Sequence, residues 1–312
     1  MSEGLEVKSD PLLSIVVTIV DGGPYLREFL RATQRFTAPP RLELIVPYDA
    51  TVAEAATYAA EFPHVTFLDL GAITPIYPIT TEAGQHELFD RRRAAGLAAA
   101  TGDIIAILED RGHPAPDWAA TVVRLHRETG RNVIGGAIDC KEPVSLLNWA
   151  FWVTDFGRYG RPFESGSATW VSDVNVTYSR KALEATRHLW RDRFHEPVVN
   201  WHLISLGEEL LLSNELVVQH VRPPATLARL LPERFHWGRL FGWIRAKHFT
   251  PRQRFFYIAL SPLIPVSLWL RHGLTQARKG RGGRYLLALP YVIILTIAWT
   301  VGEVWGYVTR RP

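Results

Sequence analysis

The sequence of 312 residues contains a single cysteine, Cys140, and a single methionine. One thiol excludes an intramolecular disulfide and is typical of a protein in a reducing compartment. The first ten residues are polar and acidic, without the basic start and apolar core of a secretory signal. We therefore expect the folded part of the chain to stay in the cytoplasm, and we expect residues 1–11 to form a flexible N-terminus.

Acidic residues are nearly absent from one long stretch of the chain. Between Arg222 and Arg284 there are 13 lysines and arginines but one acid, Glu233. The whole chain has a net charge of only +4, so the part before this stretch is acidic. Because the basic stretch adjoins apolar runs, it favours an anionic membrane surface over a nucleic acid as partner.

Strand and helix patterns alternate over the first half of the chain. The predicted strands cover residues 13–20, 42–46, 65–70 and 103–110, and the predicted helices cover 25–36, 52–62 and 85–100. Apolar strands that alternate with helices predict an α/β fold with a mostly parallel sheet sandwiched by helices. Ligands bind such sheets at the carboxyl ends of the strands. Asp21, Asp49 and Asp110 each follow a predicted strand, which favours one shared cleft.

The strand from Asp103 to Asp110 ends in two adjacent acids, Glu109 and Asp110. Adjacent carboxylates at the mouth of a parallel sheet suit a metal-bound diphosphate or a sugar ring. A solvated strand end that leads into the turn around Pro114 is the alternative. The sequence therefore offers a candidate site here for a metal-bound diphosphate or a sugar.

The second half of the chain is less regular. We predict strands at residues 133–137, 170–176 and 210–220, a helix at 198–206 and an aromatic, glycine-rich loop at 148–166. This half is expected to complete the cleft, because α/β ligand sites need residues beyond the strand ends.

The tail contains two uncharged runs, residues 255–270 and 285–302. The first run, as a helix of about 24 Å, is shorter than the roughly 30 Å hydrocarbon core, whereas the second would reach across with a tilt. The loop 271–284 is basic, which disfavours two crossings. Three arrangements remain: an interfacial or re-entrant first segment with a spanning second one, a hairpin in one leaflet, or two buried helices of a soluble domain. Residues 223–253 are expected to form a basic amphipathic juxtamembrane region, and residues 254–312 membrane-associated helices.

Several motifs, taken in order, resemble those of the family 2 inverting glycosyltransferases of the GT-A fold, over roughly residues 12–245. They are residues 14–20, residues 44–49 ending in Asp49, the helix with Arg93, Gly96, Ala100 and Gly102, the acidic motif Glu109-Asp110-Arg111 followed by Pro116-Asp117-Trp118, residues 171–175, and Glu196 with Leu203 and Gly207 at the family spacing. No single block is specific, and the resemblance rests on their order over some 200 residues.

The resemblance implies a catalytic domain over residues 12–222 on the cytoplasmic face of the cell membrane. It implies transfer of a sugar, as in hexosyltransferases, from a nucleotide-sugar donor, with a UDP-sugar favoured, to a lipid-linked or envelope polysaccharide acceptor. Inversion then needs a general base, which is Glu196 by position. The residues that match at the donor are Thr18, Asp49, Arg93, Glu109, Asp110 and Arg111, and Asn175 matches at the acceptor.

The resemblance also implies a divalent metal, Mg²⁺ or Mn²⁺, bound by Asp110 and Glu109. The family's motif ordinarily ends in a metal-binding aspartate, and Arg111 stands in that place here. A guanidinium can neutralise a diphosphate directly, so the sequence leaves metal dependence open. The family also rarely has a proline where Pro197 lies, although proline fits the first turn of a helix.

The departures at Arg111 and Pro197 keep a second function open, a non-catalytic, nucleotide-binding scaffold at the membrane. A nucleotidyltransferase would need a basic, glycine-rich phosphate loop after the first strand, and the segment from Asp21 to Pro24 has no lysine or arginine. His220 is a further candidate for the diphosphate, against the alternative of a structural histidine. His195 and Trp201 are expected to be packing residues.

Overall fold

The computed structural model describes residues 12–247 and 249–311, so the predicted N-terminus at residues 1–11 lies outside the described residues. Contacts along the chain divide it into two units. The first unit comprises residues 12–74, 89–137 and 164–219, and the second comprises residues 75–88, 138–163 and the described residues from 220 onward.

Nine strands form one mixed sheet. They are β1 Leu13–Thr18, β2 Leu42–Tyr48, β3 Val65–Asp69, β4 Ile104–Glu109, β5 Gly112–Pro114, β6 Val133–Cys140, β7 Gly166–Ala168, β8 Asn175–Ser179 and β9 Leu210–His220. Their order is β3-β2-β1-β4-β8-β6-β9-β5, and β7 pairs with β9. Strands β1 to β4 are parallel to their neighbours in this group, whereas β8 is antiparallel to β4 and β6.

Helices of the first unit flank this sheet, and helices also make up most of the second unit. They are α1 Gly23–Thr33, a 3₁₀ helix Ala50–Ala60, α2 Glu82–Ala99, α3 Trp118–Thr129, α4 Leu146–Phe156, α5 Arg180–Ala185, α6 Arg187–Trp190, α7 Glu196–Ser205, α8 Leu227–Ala246, α9 Pro251–Ala259, α10 Leu263–Arg278 and α11 Gly282–Thr309. The predicted α/β class, with a mostly parallel sheet sandwiched by helices, is confirmed.

The central strand β1 shows why the candidate site lies where it does. Every residue of β1 is buried, as expected for a parallel strand covered on both faces. In its pairing with β4, Thr18 lies opposite Glu109. The carboxyl ends of the two strands therefore meet at the same edge of the sheet.

Three elements differ from the sequence-based predictions. The predicted loop at 148–166 begins instead with α4, which Ser145 starts by accepting a hydrogen bond from the backbone N–H of Asn148. The predicted strand at 170–176 starts only at Asn175, because a turn from Ser172 precedes it. The predicted helix at 52–62 is a 3₁₀ helix with a kink at Val52. In each case a local hydrogen bond or kink overrides the apolar pattern.

The second unit contains a close helix pair. Helices α8 and α11 meet at Gly238 and Gly242 of α8 and at Gly302 and Gly306 of α11, where a Cβ atom would overlap the backbone of the other helix. Contact between backbones of this kind is typical of paired small residues four positions apart. The uncharged run 255–270 does not form one helix, since the segment around Pro262 separates α9 from α10.

Candidate functional site

Asp110 follows β4 and is fully buried. Its carboxylate accepts hydrogen bonds from the backbone N–H groups of Val20 (3.1 Å), Asp21 (3.2 Å) and Gly22 (2.7 Å). Gly22 has a positive φ of 65°, which glycine adopts without strain. Burial raises the pKa of Asp110 to about 6, although these N–H groups favour the charged form. Asp110 thus holds the loop between β1 and α1 in place.

Arg111 braces the same loop through Asp21. Its Nε lies 2.5 Å from Oδ2 of Asp21 and its Nη2 lies 2.6 Å from Oδ1, so the pair is bidentate. Both side chains are mostly buried, with 13% and 17% of their surface exposed. The positive charge of Arg111 is therefore balanced within the protein.

Arg93 of α2 is the centre of a second cluster. Its Nε donates to Oγ1 of Thr18 at 3.0 Å, and its Nη2 lies 3.0 Å from Oε1 of Glu109 and 2.9 Å from Oδ2 of Asp173. Nη1 lies 3.6 Å from Oδ1 of Asp90. Three predicted donor-binding residues, Thr18, Arg93 and Glu109, are thus brought together, and Asp173 joins them.

Negative charge exceeds positive charge in this cluster. Burial would lower the pKa of Arg93, but Asp173, Glu109, Asp90 and Glu196 outweigh it and raise the pKa. Burial, and next the nearby Asp173, raise the pKa of Glu109 to about 7, although Arg93 opposes the shift. One guanidinium shared among four carboxyl groups leaves a site that attracts a further cation.

The raised pKa of Glu109 predicts that the protein loses stability as the pH rises. In the folded protein this pKa is about 7, against an ordinary value of 4.5. The stabilising contribution is fully present below the ordinary value and is lost as the pH rises through about 7, a difference on the order of 3 kcal/mol. Urea unfolding in EDTA, followed from about pH 5 to pH 8, should show this decline.

Glu109→Gln should flatten that pH dependence above about pH 6, because glutamine has no proton to lose, whereas Asp110, with a pKa of about 6, still contributes below it. Glu28→Gln, which changes an exposed acid of α1, is the matched control and should keep the wild-type profile. A wild-type profile in Glu109→Gln would contradict the prediction.

Glu196 is the first residue of α7 and is 8% exposed. Its Oε1 accepts a hydrogen bond from Nδ2 of Asn200, whose Oδ1 accepts one from the hydroxyl of Tyr178 at 3.0 Å. Burial, and next the charges of Glu196 and Asp173, raise the pKa of Tyr178 well above its usual value. The phenol therefore stays protonated as a donor, which fixes the Asn200 amide and, through it, the Glu196 carboxylate.

Asp90 connects the Arg93 cluster with the start of α7. Its Oδ2 lies 3.1 Å from Nδ1 of His195, and its backbone carbonyl accepts from the N–H of Phe194 at 3.0 Å. The same carboxyl group faces Arg93. His195, expected to be a packing residue, thus contacts the buried carboxyl group of Asp90 directly before the start of α7.

Asp49, at the end of β2, is 1% exposed. Its Oδ2 lies 2.6 Å from Nε of Arg92, and its Oδ1 accepts from the N–H of Thr51 at 2.7 Å. Burial alone would raise the pKa of Asp49, but these hydrogen bonds outweigh it and lower the pKa. Asp49 is a buried anion that caps the 3₁₀ helix, and its predicted contact with the nucleotide stays a prediction.

Asn175 is fully buried inside the sheet. Its Nδ2 donates to the carbonyls of Ala137 and Leu216, both at 2.9 Å, and its Oδ1 accepts from Nε1 of Trp118 at 3.0 Å. The amide is thus hydrogen-bonded within the protein, and the predicted contact of Asn175 with an acceptor stays a prediction.

Two further residues that the sequence singled out, Trp201 and His220, each pack on a different aromatic ring. Trp201 packs edge-to-face on Trp170 with ring centroids 5.6 Å apart. His220 belongs to the second unit, where its ring lies 4.7 Å from that of Phe156. Both contacts are those of packing residues.

Sequence reasoning missed several residues of the site, namely Asp90, Arg92, Asp173, Tyr178 and Asn200. For two of them, Asn200 and Asp173, the sequence contains a feature that points to the site. Asn200 follows Glu196 by four positions, the spacing that places two side chains on one face of a helix. Asp173 lies in the motif 171–175 that also contains Asn175, but the sequence does not show which of the two faces the site.

No protein-family model matches the sequence, and no curated protein matches it. Among solved structures, the chain is similar to the mannosyltransferase PcManGT from Pyrobaculum calidifontis, determined in complex with GDP-Man and Mn²⁺. The TM-score is 0.52 at 15% sequence identity, and the match covers 96% of this chain and 88% of that chain. The chain has a glycosyltransferase-like fold. At this identity the likeness shows the fold alone.

Proposed function

We propose that the protein is a glycosyltransferase, related to family 2, that moves a sugar from a nucleotide-sugar donor to a lipid-linked or envelope polysaccharide acceptor with inversion. The observation that carries this proposal is the cluster of Thr18, Arg93, Glu109 and Asp173 beside Glu196. It lies at the carboxyl edge of β1 and β4, where sheets of this kind bind their ligands. The glycosyltransferase-like fold supports it.

Glu196 is the proposed general base. In an inverting transfer the acceptor hydroxyl attacks the anomeric carbon while the bond to the departing nucleoside diphosphate breaks, and the hydroxyl proton moves to the base. The hydrogen bond from Asn200 keeps the Glu196 carboxylate in one orientation. A general base needs such a fixed orientation, because its oxygen must lie within hydrogen-bonding distance of the hydroxyl proton that it removes.

The donor site is proposed around Thr18, Arg93 and Glu109. Asp110 and Arg111 contribute by positioning the loop between β1 and α1, since their hydrogen bonds and ion pair go to that loop. The preference for a UDP-sugar stays a prediction. GDP-Man is a second donor to test, because the structure of the similar mannosyltransferase was determined in complex with it.

A divalent cation, Mg²⁺ or Mn²⁺, fits this site. Oxygen atoms of Glu109 and Asp173 contact the same nitrogen of Arg93, so they lie near each other, and carboxylate oxygens are the ligands such ions prefer. We propose that Glu109 and Asp173 hold the ion. Asp110, the other predicted ligand, already accepts three backbone hydrogen bonds. When bound, the ion would neutralise charge on the diphosphate.

The membrane association of the C-terminal part is also a proposal. Among the described residues, α11 is the one helix long and apolar enough to cross a membrane, judged by length and composition. We propose that residues 254–312 attach the protein to the cytoplasmic face of the cell membrane. In this proposal residues 12–222 form the catalytic region, and residues 223–253 form the basic region that precedes the attached helices in the sequence.

The test is a panel of nucleotide sugars, UDP-sugars and GDP-Man among them, assayed for released nucleoside diphosphate with and without EDTA. We expect release with one donor class and its loss in EDTA. Nucleotide binding without any release would favour the alternative, a non-catalytic nucleotide-binding scaffold. Release that is unaffected by EDTA would contradict the metal site while supporting the transferase.

A further inference from the structure

We infer that the second unit docks on an anionic lipid bilayer from one side, with α11 lying in the plane of the membrane rather than across it. The inference rests on the membrane association proposed above and specifies its geometry. Two observations support it. Apolar side chains are exposed along one face of α10 and one face of α11, and other helices cover the opposite face of α11.

Exposed apolar side chains are concentrated on α9, α10 and α11. Among the described residues, 14 of the 18 large apolar side chains that are exposed lie between Phe255 and Val308. On α11 they are Leu286, Leu287, Ile294, Ile297, Val301, Trp305 and Val308. Most of these are three, four or seven positions apart, so they follow one side of the helix along its length.

Helices α9 and α10 add to the exposed apolar surface of the second unit. The side chains are Phe255, Phe256, Leu260, Leu263, Val266, Leu270 and Leu274. From Leu263 onward the spacing is again three or four, which gives α10 a single exposed apolar face. Single exposed apolar residues are ordinary, whereas apolar stripes along two helices of one unit mark an interaction surface.

The opposite side of α11 is covered along its whole length. Near its start the hydroxyl of Tyr285 donates to the carbonyl of Trp269 in α10 at 2.7 Å. Val292 and Leu295 belong to a core cluster that contains residues of α4. Near its end, Gly302 and Gly306 touch the backbone of α8. Lipid can therefore reach α11 only on its exposed side.

The helix that covers the second half of α11 is charged. Helix α8 carries four arginines and one glutamate, and two of these arginines form ion pairs, Arg245 with Glu303 of α11 and Arg234 with Asp155 of α4. If α11 crossed the bilayer, α8 would enter the hydrocarbon with it. Arginine is among the side chains that are most unfavourable at the centre of a bilayer. An in-plane position leaves α8 on the aqueous side and still buries the apolar stripe.

Charge identifies lipid as the occupant of this surface. Arg252, Arg271 and Arg278 are exposed on the helices that carry the apolar side chains, and one acid accompanies 13 basic residues between Arg222 and Arg284. Each basic residue near an anionic bilayer strengthens the attraction to its negative surface. A second copy of the chain would bring the same positive charge to the contact, which disfavours a dimer through this face.

The first test is co-sedimentation with vesicles of phosphatidylcholine mixed with phosphatidylglycerol, against phosphatidylcholine alone. We expect binding of the full chain to the mixed vesicles and weaker binding to the neutral ones. The double variant Ile294→Glu/Val301→Glu changes two exposed positions of α11 and should weaken binding at least about tenfold. Leu206→Glu, at an exposed leucine of the first unit, is the matched control and should bind like wild type.

The second test reports which side of the membrane each end of α11 faces. In a Cys140→Ser background, single cysteines replace Gly283 and Arg311 at the two ends and Glu28 in the first unit. Inside-out vesicles from expressing cells are treated with a membrane-impermeant maleimide. We expect all three cysteines to react without detergent, because an in-plane α11 has both ends on the cytoplasmic side.

The outcomes separate the two proposals. If the cysteines at residues 283 and 311 react on opposite sides, α11 spans the membrane and the in-plane inference is wrong, while membrane association stands. If the wild-type chain binds neither kind of vesicle, membrane association is wrong and the inference fails with it. Transferase activity is read separately as released nucleoside diphosphate, so its absence changes neither result.

Discussion

Replacing Glu196 with glutamine is expected to lower the rate of sugar transfer by about 10²–10⁴-fold, with donor affinity unchanged. Glutamine keeps an oxygen that can accept the hydrogen bond from Asn200, so the start of α7 should keep its structure. It cannot accept the proton of the acceptor hydroxyl. The measurement is the turnover rate at saturating donor and acceptor, together with the donor dissociation constant from calorimetry.

The control for this prediction is Glu28→Gln, which makes the same chemical change at an exposed position of α1. It should transfer sugar at the wild-type rate. Wild-type turnover in Glu196→Gln would remove Glu196 from the role of base. A loss of donor affinity without a loss of turnover would instead assign Glu196 to donor binding.

Replacing Arg93 with methionine is expected to lower the free energy of unfolding by about 3–5 kcal/mol. The side chain of Arg93 is 5% exposed and contacts Glu109, Asp173 and Asp90. Without the guanidinium these carboxyl groups face one another in a buried site with no cation among them. Urea unfolding at neutral pH, in EDTA, measures the loss.

Two further variants decide whether charge is the cause. Adding Glu109→Gln to Arg93→Met should recover part of the lost stability, because it removes one acidic group from the crowded buried site, and the double-mutant cycle measures the coupling between residues 93 and 109. Arg31→Met, which breaks a pair with Glu61 that is 49% and 31% exposed, should cost no more than about 1 kcal/mol. Equal losses of unfolding free energy in the two arginine variants would show that the buried Arg93 cluster contributes no more to stability than an exposed ion pair.

The elements of the fold could be predicted where one local pattern specifies them. Strands β1 and β4 are continuous apolar runs between turn residues, and such a run forms a strand in almost any parallel sheet. The same reasoning put the acids that follow these strands at one edge. It failed for α4, because the aromatic side chains of residues 148–156 are buried on several sides and leave no amphipathic period.

The roles of neighbouring residues could not be predicted. Glu109 and Asp110 are adjacent, and successive side chains at a strand end point in different directions. Only the pairing of β4 with β1 shows that Glu109 faces Arg93 while Asp110 binds the loop after β1. In the same way, Arg93 reaches the proposed site, whereas Arg92 is used by Asp49.

Two choices in particular were left to the tertiary structure. Asp173 and Asn175 share one motif, but the position of β8 inside the sheet buries Asn175 and leaves Asp173 beside Arg93. Glu196 was recognisable from its spacing to later residues, but its hydrogen bond with Asn200 depends on α7, and the donor to Asn200 comes from Tyr178 of β8.

By itself the sequence determined the α/β class, the edge of the sheet that carries the acids, and a C-terminal part that is both apolar and basic. These follow from local composition and periodicity, which do not depend on distant contacts. Only the tertiary structure decided which acids share Arg93 and which side of α11 is exposed. Hydropathy counts every side chain of a helix equally, whereas the charged α8 packs on one side of α11 and leaves the apolar side chains of the other side exposed.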